Sequence, residues 1–156
     1  MKKLFLSAVI MMATFAAALA QNRPKLIVGI AVDQMRWDYL HRYYGLYGEG
    51  GFKRLMNEGF DCENTMINYI PAITAVGHTS IYTGSVPSVH GIQGNSFLIN
   101  GKMTYCTADT TVAGVGTSGK EGQMSPRNML CTTIGDELKV ATDFKSRVFE
   151  IGRAHV

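Results

Sequence analysis

Asp33, Thr74 and Asn95 carry side chains that could bind a cation, attack an electrophile and hydrogen-bond an anion. Asp33 ends an apolar run. A carboxylate beyond the carboxyl end of a buried strand serves either as a cation ligand or as a cap of the helix that follows. Thr74 lies just ahead of a predicted helix, where unpaired amides and the helix dipole attract anions. It is therefore either an N-cap or a nucleophile, and a nucleophilic hydroxyl needs activation by a base or a metal.

Asn95 follows a tight turn at Gly94. Its side chain is either that of an ordinary turn asparagine or an amide donor to a phosphoryl oxygen. Forty-one residues separate Asp33 from Thr74, and 21 separate Thr74 from Asn95. Taken singly, none of the three positions is specific for a chemistry.

Alternating strands and helices are predicted to position these residues. The near-continuous apolar run Lys25–Val32 is typical of a strand buried on both faces of a parallel sheet. Another strand is predicted to begin at Arg147–Phe149, and Phe60–Asn68 is predicted to be a strand or an extended segment. We therefore predict an α/β fold with a mainly parallel sheet flanked by helices. The other predicted elements are helices over Trp37–Tyr47, Phe52–Glu58 and Ala75–Thr83, a hairpin over Phe97–Tyr105 around Asn100-Gly101, and a helix from Ser125-Pro126 to about Ala141.

Residues 1–20 are predicted to be a secretory signal peptide, cleaved after Ala20 to leave Gln21 as the mature start. Lys2 and Lys3 precede an apolar run that ends in small residues. The run is shorter than the roughly 20 residues that span a bilayer. We therefore expect a periplasmic or secreted protein without stable membrane insertion.

Charge and cysteine content bear on the binding partners of the protein and on its disulfides. Without the signal peptide, the chain has thirteen basic and twelve acidic residues, so its net charge is near +1. It has no stripe of basic residues of the kind that binds nucleic acid. In an oxidising compartment, two of the three cysteines, Cys62, Cys106 and Cys131, could form a disulfide, although small buried thiols are the alternative.

Three segments carry a family resemblance: VDQMRWDYL at 32–40, NYIPAITAVGHTSIYTGSVPSVHGIQGN at 68–95 and MSPRNML at 124–130. They resemble the phosphate-irrepressible alkaline phosphatases of the alkaline phosphatase superfamily, a branch close to the nucleotide pyrophosphatase/phosphodiesterases. The resemblance covers nearly all of residues 24–149. It implies an alkaline-phosphatase-like fold, incomplete in this chain, and an exported hydrolase of small-molecule phosphate esters.

The resemblance also implies roles for the three polar residues. Asp33 and Thr74 would ligate metal, with two Zn²⁺ per full-length chain. Thr74 would be the nucleophile that forms a phosphothreonine intermediate, and Asn95 would contact the phosphoryl oxygens. His78 and His90 are interpreted as structural, because the family's histidine ligands come from later in the chain. Most metal ligands of the family lie beyond residue 156, so we expect the chain as given to be inactive.

Several alternatives stay open. A phosphodiesterase or nucleotide pyrophosphatase of the same superfamily is the second enzymatic interpretation, and an inactive fragment or a non-catalytic exported binding module is the third. A sulfatase is disfavoured, because Ser125-Pro126-Arg127 lacks the required motif spacing. The last seven residues, 150–156, depart from the family and match one reading frame of a common sequencing adapter. We expect residues 21–149 to be the amino-terminal part of a catalytic domain and 150–156 to be a non-native tail.

Overall fold

The computed structural model describes residues 24–152. The expected signal peptide at 1–20, with its cleavage site, and residues 153–156 of the expected tail lie outside this range. Within this range, the chain divides into two units, one that ends at residue 31 and one that begins at residue 32. In the first unit, residues 24–31 have no regular secondary structure and are mostly exposed.

The two strands predicted to build a parallel sheet are not formed. Lys25–Val32 and Arg147–Phe149 are irregular, and Leu26 and Ile30 are 77% and 80% exposed. A strand buried in a parallel sheet needs hydrogen-bonded neighbours. Among the described residues, the only sheet is a two-stranded hairpin that includes neither segment. The prediction of a mainly parallel sheet is therefore not realised in residues 24–152.

The helices lie close to their predicted places. The first predicted helix is shorter than expected and continues as a 3₁₀ turn. The second has the predicted bounds, and the third begins one residue earlier than predicted. The helical elements are α1 (Asp38–Arg42), a 3₁₀ turn (Tyr44–Leu46), α2 (Phe52–Glu58), α3 (Thr74–Thr83), α4 (Pro87–His90), a 3₁₀ turn (Lys120–Gly122) and α5 (Ile134–Ala141).

The hairpin is confirmed. Strands β1 (Ser96–Ile99) and β2 (Lys102–Tyr105) pair antiparallel. Asn100 and Gly101 between them have φ of 51° and 78°. Positive φ at both central residues is what a two-residue turn matching the twist of the strands requires. Strand β1 begins directly after Asn95 and so fixes the direction of the backbone that follows this residue.

The predicted helix start at Ser125-Pro126 is wrong. The helix begins at Ile134, where Thr133 and Asp136 form a reciprocal capping box. Segment 125–132 instead forms a turn with tertiary hydrogen bonds: the Leu130 N–H donates to the His90 carbonyl at 3.0 Å. Ser125 accepts the Arg127 N–H at 3.2 Å, as a cap would. The turn does not continue as a helix, because the Leu130 N–H that would donate to the Pro126 carbonyl donates to His90 instead.

The apolar core of the described residues is small. Val76 of α3, Ile92 and Cys106 are buried, and α3 packs beside α4 and α5. Three polar side chains, those of Ser80, His90 and Asp109, are also buried. All three cysteines are free thiols in the structure. Burial raises the pKa of the Cys106 thiol. Between residues 24 and 152, no helix is long and apolar enough to cross a membrane.

Asp109 organises the segment that replaces the predicted helix. Its carboxylate accepts hydrogen bonds from the Ser125 hydroxyl at 2.6 Å and from the Thr111 hydroxyl and N–H at 2.6 and 2.9 Å. Arg127 approaches it at 3.4 Å. The Ser125 bond, followed by the Thr111 bonds, holds the pKa of Asp109 well below its usual range. The ionised carboxylate therefore joins the loop after β2 to segment 125–132.

This cluster predicts a loss of stability in acid. Because the folded-state pKa of Asp109 is depressed, its contribution is present above the unfolded pKa of about 3.9 and falls as pH drops below it. Asp109→Asn should therefore lower the denaturant midpoint at neutral pH, and the gap from wild type should narrow below about pH 4. The same change at exposed Asp61 is the control. A gap that does not vary with pH would contradict the role given to the Asp109 charge.

Candidate active site at the start of helix α3

The N-terminus of α3 is the centre of the candidate site. Thr74 is its first residue, and the extended Ile73 before it makes no side-chain capping bond. The first backbone bond of the helix runs from the Gly77 N–H to the Ile73 carbonyl at 2.8 Å. The amides before Gly77 have no partner within the helix, as at any helix start. They form the positive end of the helix dipole.

Asn95 supplies the cap that Ile73 cannot. Its side-chain oxygen accepts the Ala75 N–H at 2.9 Å. The oxygen of the carboxamide is thereby used, and its NH₂ group is left to donate to another acceptor. Asn95 is exposed, so an anion in solution can reach it. The turn residue predicted from sequence is thus also a tertiary cap of α3.

Asp33 contacts the same helix start through Thr74. The Thr74 hydroxyl donates to an Asp33 carboxylate oxygen at 3.3 Å. Asp33 occupies a turn with Gln34, whose φ is 59°. The following helix, α1, has Trp37 at its N-cap and no side-chain capping bond. The helix-cap interpretation of Asp33 is therefore wrong, and so is the N-cap interpretation of Thr74.

The fold thus brings together the three residues singled out from the sequence. Asp33 reaches Thr74 across 41 residues of chain, and Asn95 reaches the neighbouring Ala75 across 20. A carboxylate, a hydroxyl and an amide converge beside unpaired backbone N–H groups. Such a site can hold an anion at the helix start while a hydroxyl faces it.

Other polar groups of α3 are occupied by internal bonds. His78 donates from Nδ1 to the Thr74 carbonyl at 2.8 Å, and the Thr79 hydroxyl donates to the Ala75 carbonyl at 2.7 Å. The Nδ1 atom of His78 and the Thr79 hydroxyl are thus both bonded to carbonyls of their own helix. The structural interpretation of His78 agrees with this contact, and Thr79 provides a hydroxyl in the same helix outside the site.

The candidate site provides only part of the ligand set that a metal ion would need. In the part of the chain that the structure describes, no group of three His, Cys, Asp or Glu residues could hold a metal ion. The Asp33 carboxylate and the Thr74 hydroxyl present oxygens 3.3 Å apart. Carboxylate oxygens suit zinc, which takes about four ligands in most protein sites. These two residues fit a metal as partial ligands.

Residues 27–137 match the family model described as type I phosphodiesterase / nucleotide pyrophosphatase. All three site residues fall within this range. The chain therefore belongs to this family, which is part of the alkaline phosphatase superfamily.

Particular relatives are similar over most of this chain. A calcium-transporting ATPase of Myroides odoratus and the alkaline phosphatase PafA of Elizabethkingia meningoseptica are each 59% identical over 132 residues, or 83% of this chain. The chain spans only 24% of the length of either relative. A crystal structure of a PafA variant matches with a TM-score of 0.80 at 57% identity, covering 83% of this chain and 26% of that one. The described residues are thus an alkaline-phosphatase-like portion of an α/β fold.

The loop that leads to Asn95 depends on a glycine. Gly91 has φ of 80°, and a Cβ there would lie 2.8 Å from Cγ and Cδ1 of Leu130. Gly101 has φ of 78°, but a Cβ there would meet nothing within 4 Å. The two glycines share a backbone conformation and differ in their surroundings.

We predict that Gly91→Ala destabilises the protein more than Gly101→Ala does. Both variants incur the left-handed backbone cost of about 1–2 kcal/mol. Gly91→Ala adds up to about 1 kcal/mol for moving the Leu130 side chain out of its rotamer, a cost that is limited because Leu130 is 75% exposed. Denaturant unfolding measures both, and adding Leu130→Ala to Gly91→Ala should remove the extra loss. Equal losses at the two glycines would show that Leu130 does not constrain the loop.

Proposed function

We propose that this chain is the amino-terminal part of an exported, zinc-dependent phosphoric ester hydrolase of the alkaline phosphatase type. The observation that carries the proposal is the convergence of Asp33, Thr74 and Asn95 at the start of α3. The names of the alkaline phosphatase relatives support the reaction class. The complete protein would contain the remaining metal ligands and the mainly parallel sheet. Residues 150–156 would be replaced there by natural sequence.

The similar PafA variant supports the assignment of two residues. Its structure carries substitutions at a threonine and an asparagine that are 21 residues apart. Thr74 and Asn95 have the same separation. The variant also carries substitutions at a lysine and an arginine, 62 and 64 residues after that asparagine. The same distances from Asn95 fall just beyond Val156.

In the proposed reaction, the Thr74 oxygen attacks the phosphorus of a phosphate monoester. The Thr74 proton passes to solvent, the bond from phosphorus to the leaving alcohol oxygen breaks, and that oxygen takes a proton from water. The phosphoryl group remains on Thr74 until a second water hydrolyses it and restores the hydroxyl. The amide of Asn95 and the unpaired amides of α3 would donate to the non-bridging oxygens, where charge must be stabilised. Bound zinc, with Asp33 and Thr74 among its ligands, would lower the hydroxyl pKa and neutralise the leaving oxygen.

Export of the protein follows from the predicted signal peptide at residues 1–20. The substrates would then be small phosphate esters outside the cytoplasm. Neither nucleic-acid binding nor stable membrane insertion is part of the proposal.

A phosphodiesterase or nucleotide pyrophosphatase is the second candidate, because the matching family model describes those activities. The two candidates differ in the non-transferred side of the substrate. Relative rates on p-nitrophenyl phosphate and bis-p-nitrophenyl phosphate separate them. ATP belongs in the same comparison, because one relative is named an ATPase.

The central test uses the complete protein, expressed from source DNA read across codon 149. It should bind about two zinc ions per chain and hydrolyse the monoester faster than the diester. Thr74→Ala should lower kcat by at least about a thousandfold, since the nucleophile is lost. Its zinc content should remain close to wild type, because only one partial ligand is removed.

Thr79→Ala is the matched control, since its hydroxyl lies in the same helix but is bonded to the Ala75 carbonyl. It should retain most of the activity. Turnover that survives Thr74→Ala would remove Thr74 from the mechanism. A complete protein that binds no zinc and hydrolyses no phosphate ester would leave the non-catalytic binding module as the better interpretation.

A further inference from the structure

His90 is a fully buried histidine, and both of its ring nitrogens have partners. The Ile92 N–H donates to Nδ1 at 3.1 Å, and Nε2 lies 3.1 Å from the Ser80 hydroxyl oxygen. Because Nδ1 accepts, Nε2 must carry the proton of the neutral ring and donate to Ser80. The two contacts therefore specify one tautomer.

These partners belong to the two segments that build the candidate site. Ser80 is in α3, the helix that begins at Thr74, and Ile92 lies three residues before Asn95. The His90 carbonyl also accepts the Leu130 N–H at 3.0 Å, which adds a third segment. One buried residue thus joins the helix of the hydroxyl to the loop of the amide.

We propose that His90 is a positioning residue: its neutral imidazole holds the Asn95 loop against α3, so that Asn95 stays in place beside Thr74. The inference rests on the proposed function and extends it to a residue outside the site. Asn95 itself is exposed, and the Ala75 N–H is the hydrogen-bond partner that the structure gives its side chain. Two anchors therefore place Asn95: the Cys106 N–H, which donates to the Asn95 carbonyl at 2.9 Å, and buried His90 a few residues upstream.

The environment of His90 favours the neutral ring. Burial lowers the pKa of His90, because the charged form would lose its hydration. A second proton would have to sit on Nδ1, where it would face the Ile92 N–H and abolish that hydrogen bond. A neutral histidine with hydrogen bonds at both ring nitrogens thus joins two segments of the chain and does not serve as a general acid or base.

The test is a double-mutant cycle in the complete, zinc-loaded protein with p-nitrophenyl phosphate. His90→Phe keeps an aromatic ring and removes both hydrogen bonds. It should lower kcat by about tenfold or more, with a smaller change in KM, since misplacing a group that stabilises the transition state costs rate. In an Asn95→Ala background, the same change should cost less than about twofold, because the residue being positioned is absent.

Ser80→Ala provides a second variant in case His90→Phe does not fold. It keeps the ring and the Ile92 contact but removes the link to α3. The same cycle with Asn95→Ala applies, with a smaller effect expected. His90→Gln, whose amide can still donate to Ser80, should retain more activity than His90→Phe. Losses that are equal in the presence and absence of Asn95 would overturn the proposal, because His90 would then act on stability alone.

Two measurements test the role of His90 without measuring enzyme activity. In protein labelled with ¹⁵N-histidine, His90 should show a protonated Nε2 and an unprotonated Nδ1; the opposite tautomer would overturn the proposal. Amide hydrogen exchange in the peptide around Ala75 should be faster in His90→Phe than in wild type, since the Asn95 cap is loosened. If the complete protein hydrolyses no phosphate ester, the proposed function fails, while these two results still decide whether His90 positions Asn95.

Discussion

The hydrogen bond from the Ala75 N–H to the side-chain oxygen of Asn95 is the contact on which the candidate site depends. Helix α3 starts at an apolar residue that cannot cap it, so an amide of its first turn is left for a partner from elsewhere. When Asn95 takes that amide, it stands beside Thr74 with its own NH₂ group free to donate. Because the helix start needs a capping partner, the Asn95 NH₂ group lies where it could bind an anion.

Buried polar contacts hold this arrangement. Within residues 24–152, buried apolar side chains are few, while His90, Ser80 and Asp109 are each buried and hydrogen-bonded. A buried polar group left without a partner costs about 1–3 kcal/mol, so such contacts specify one arrangement of loops. The segment at 125–132 illustrates this, since its hydrogen bonds to Asp109 and His90 replaced the helix that its cap signal predicted.

The sequence predicted the local elements better than the sheet, and the three residues that it indicated for a site lie together in the structure. Helix α2, the hairpin and the start of α3 follow from local patterns of glycine, turn residues and helical spacing. The residue types and spacing of Asp33, Thr74 and Asn95, with the family resemblance, indicate these three positions without any knowledge of their contacts. The parallel sheet is not formed in residues 24–152, because a strand needs hydrogen-bonded neighbours. The hydrogen bond between Ser80 and His90 is not predicted from the sequence. A serine in a helix and a histidine ten residues later have no periodic pattern that indicates their contact.

The most direct test of the central claim is a crystal structure of the complete protein with zinc and bound phosphate. The account predicts a zinc ion about 2.0–2.2 Å from the Asp33 carboxylate. It also predicts phosphate within hydrogen-bonding distance of both the Thr74 hydroxyl and the Asn95 amide. Zinc and phosphate bound at a site that excludes all three residues would contradict it.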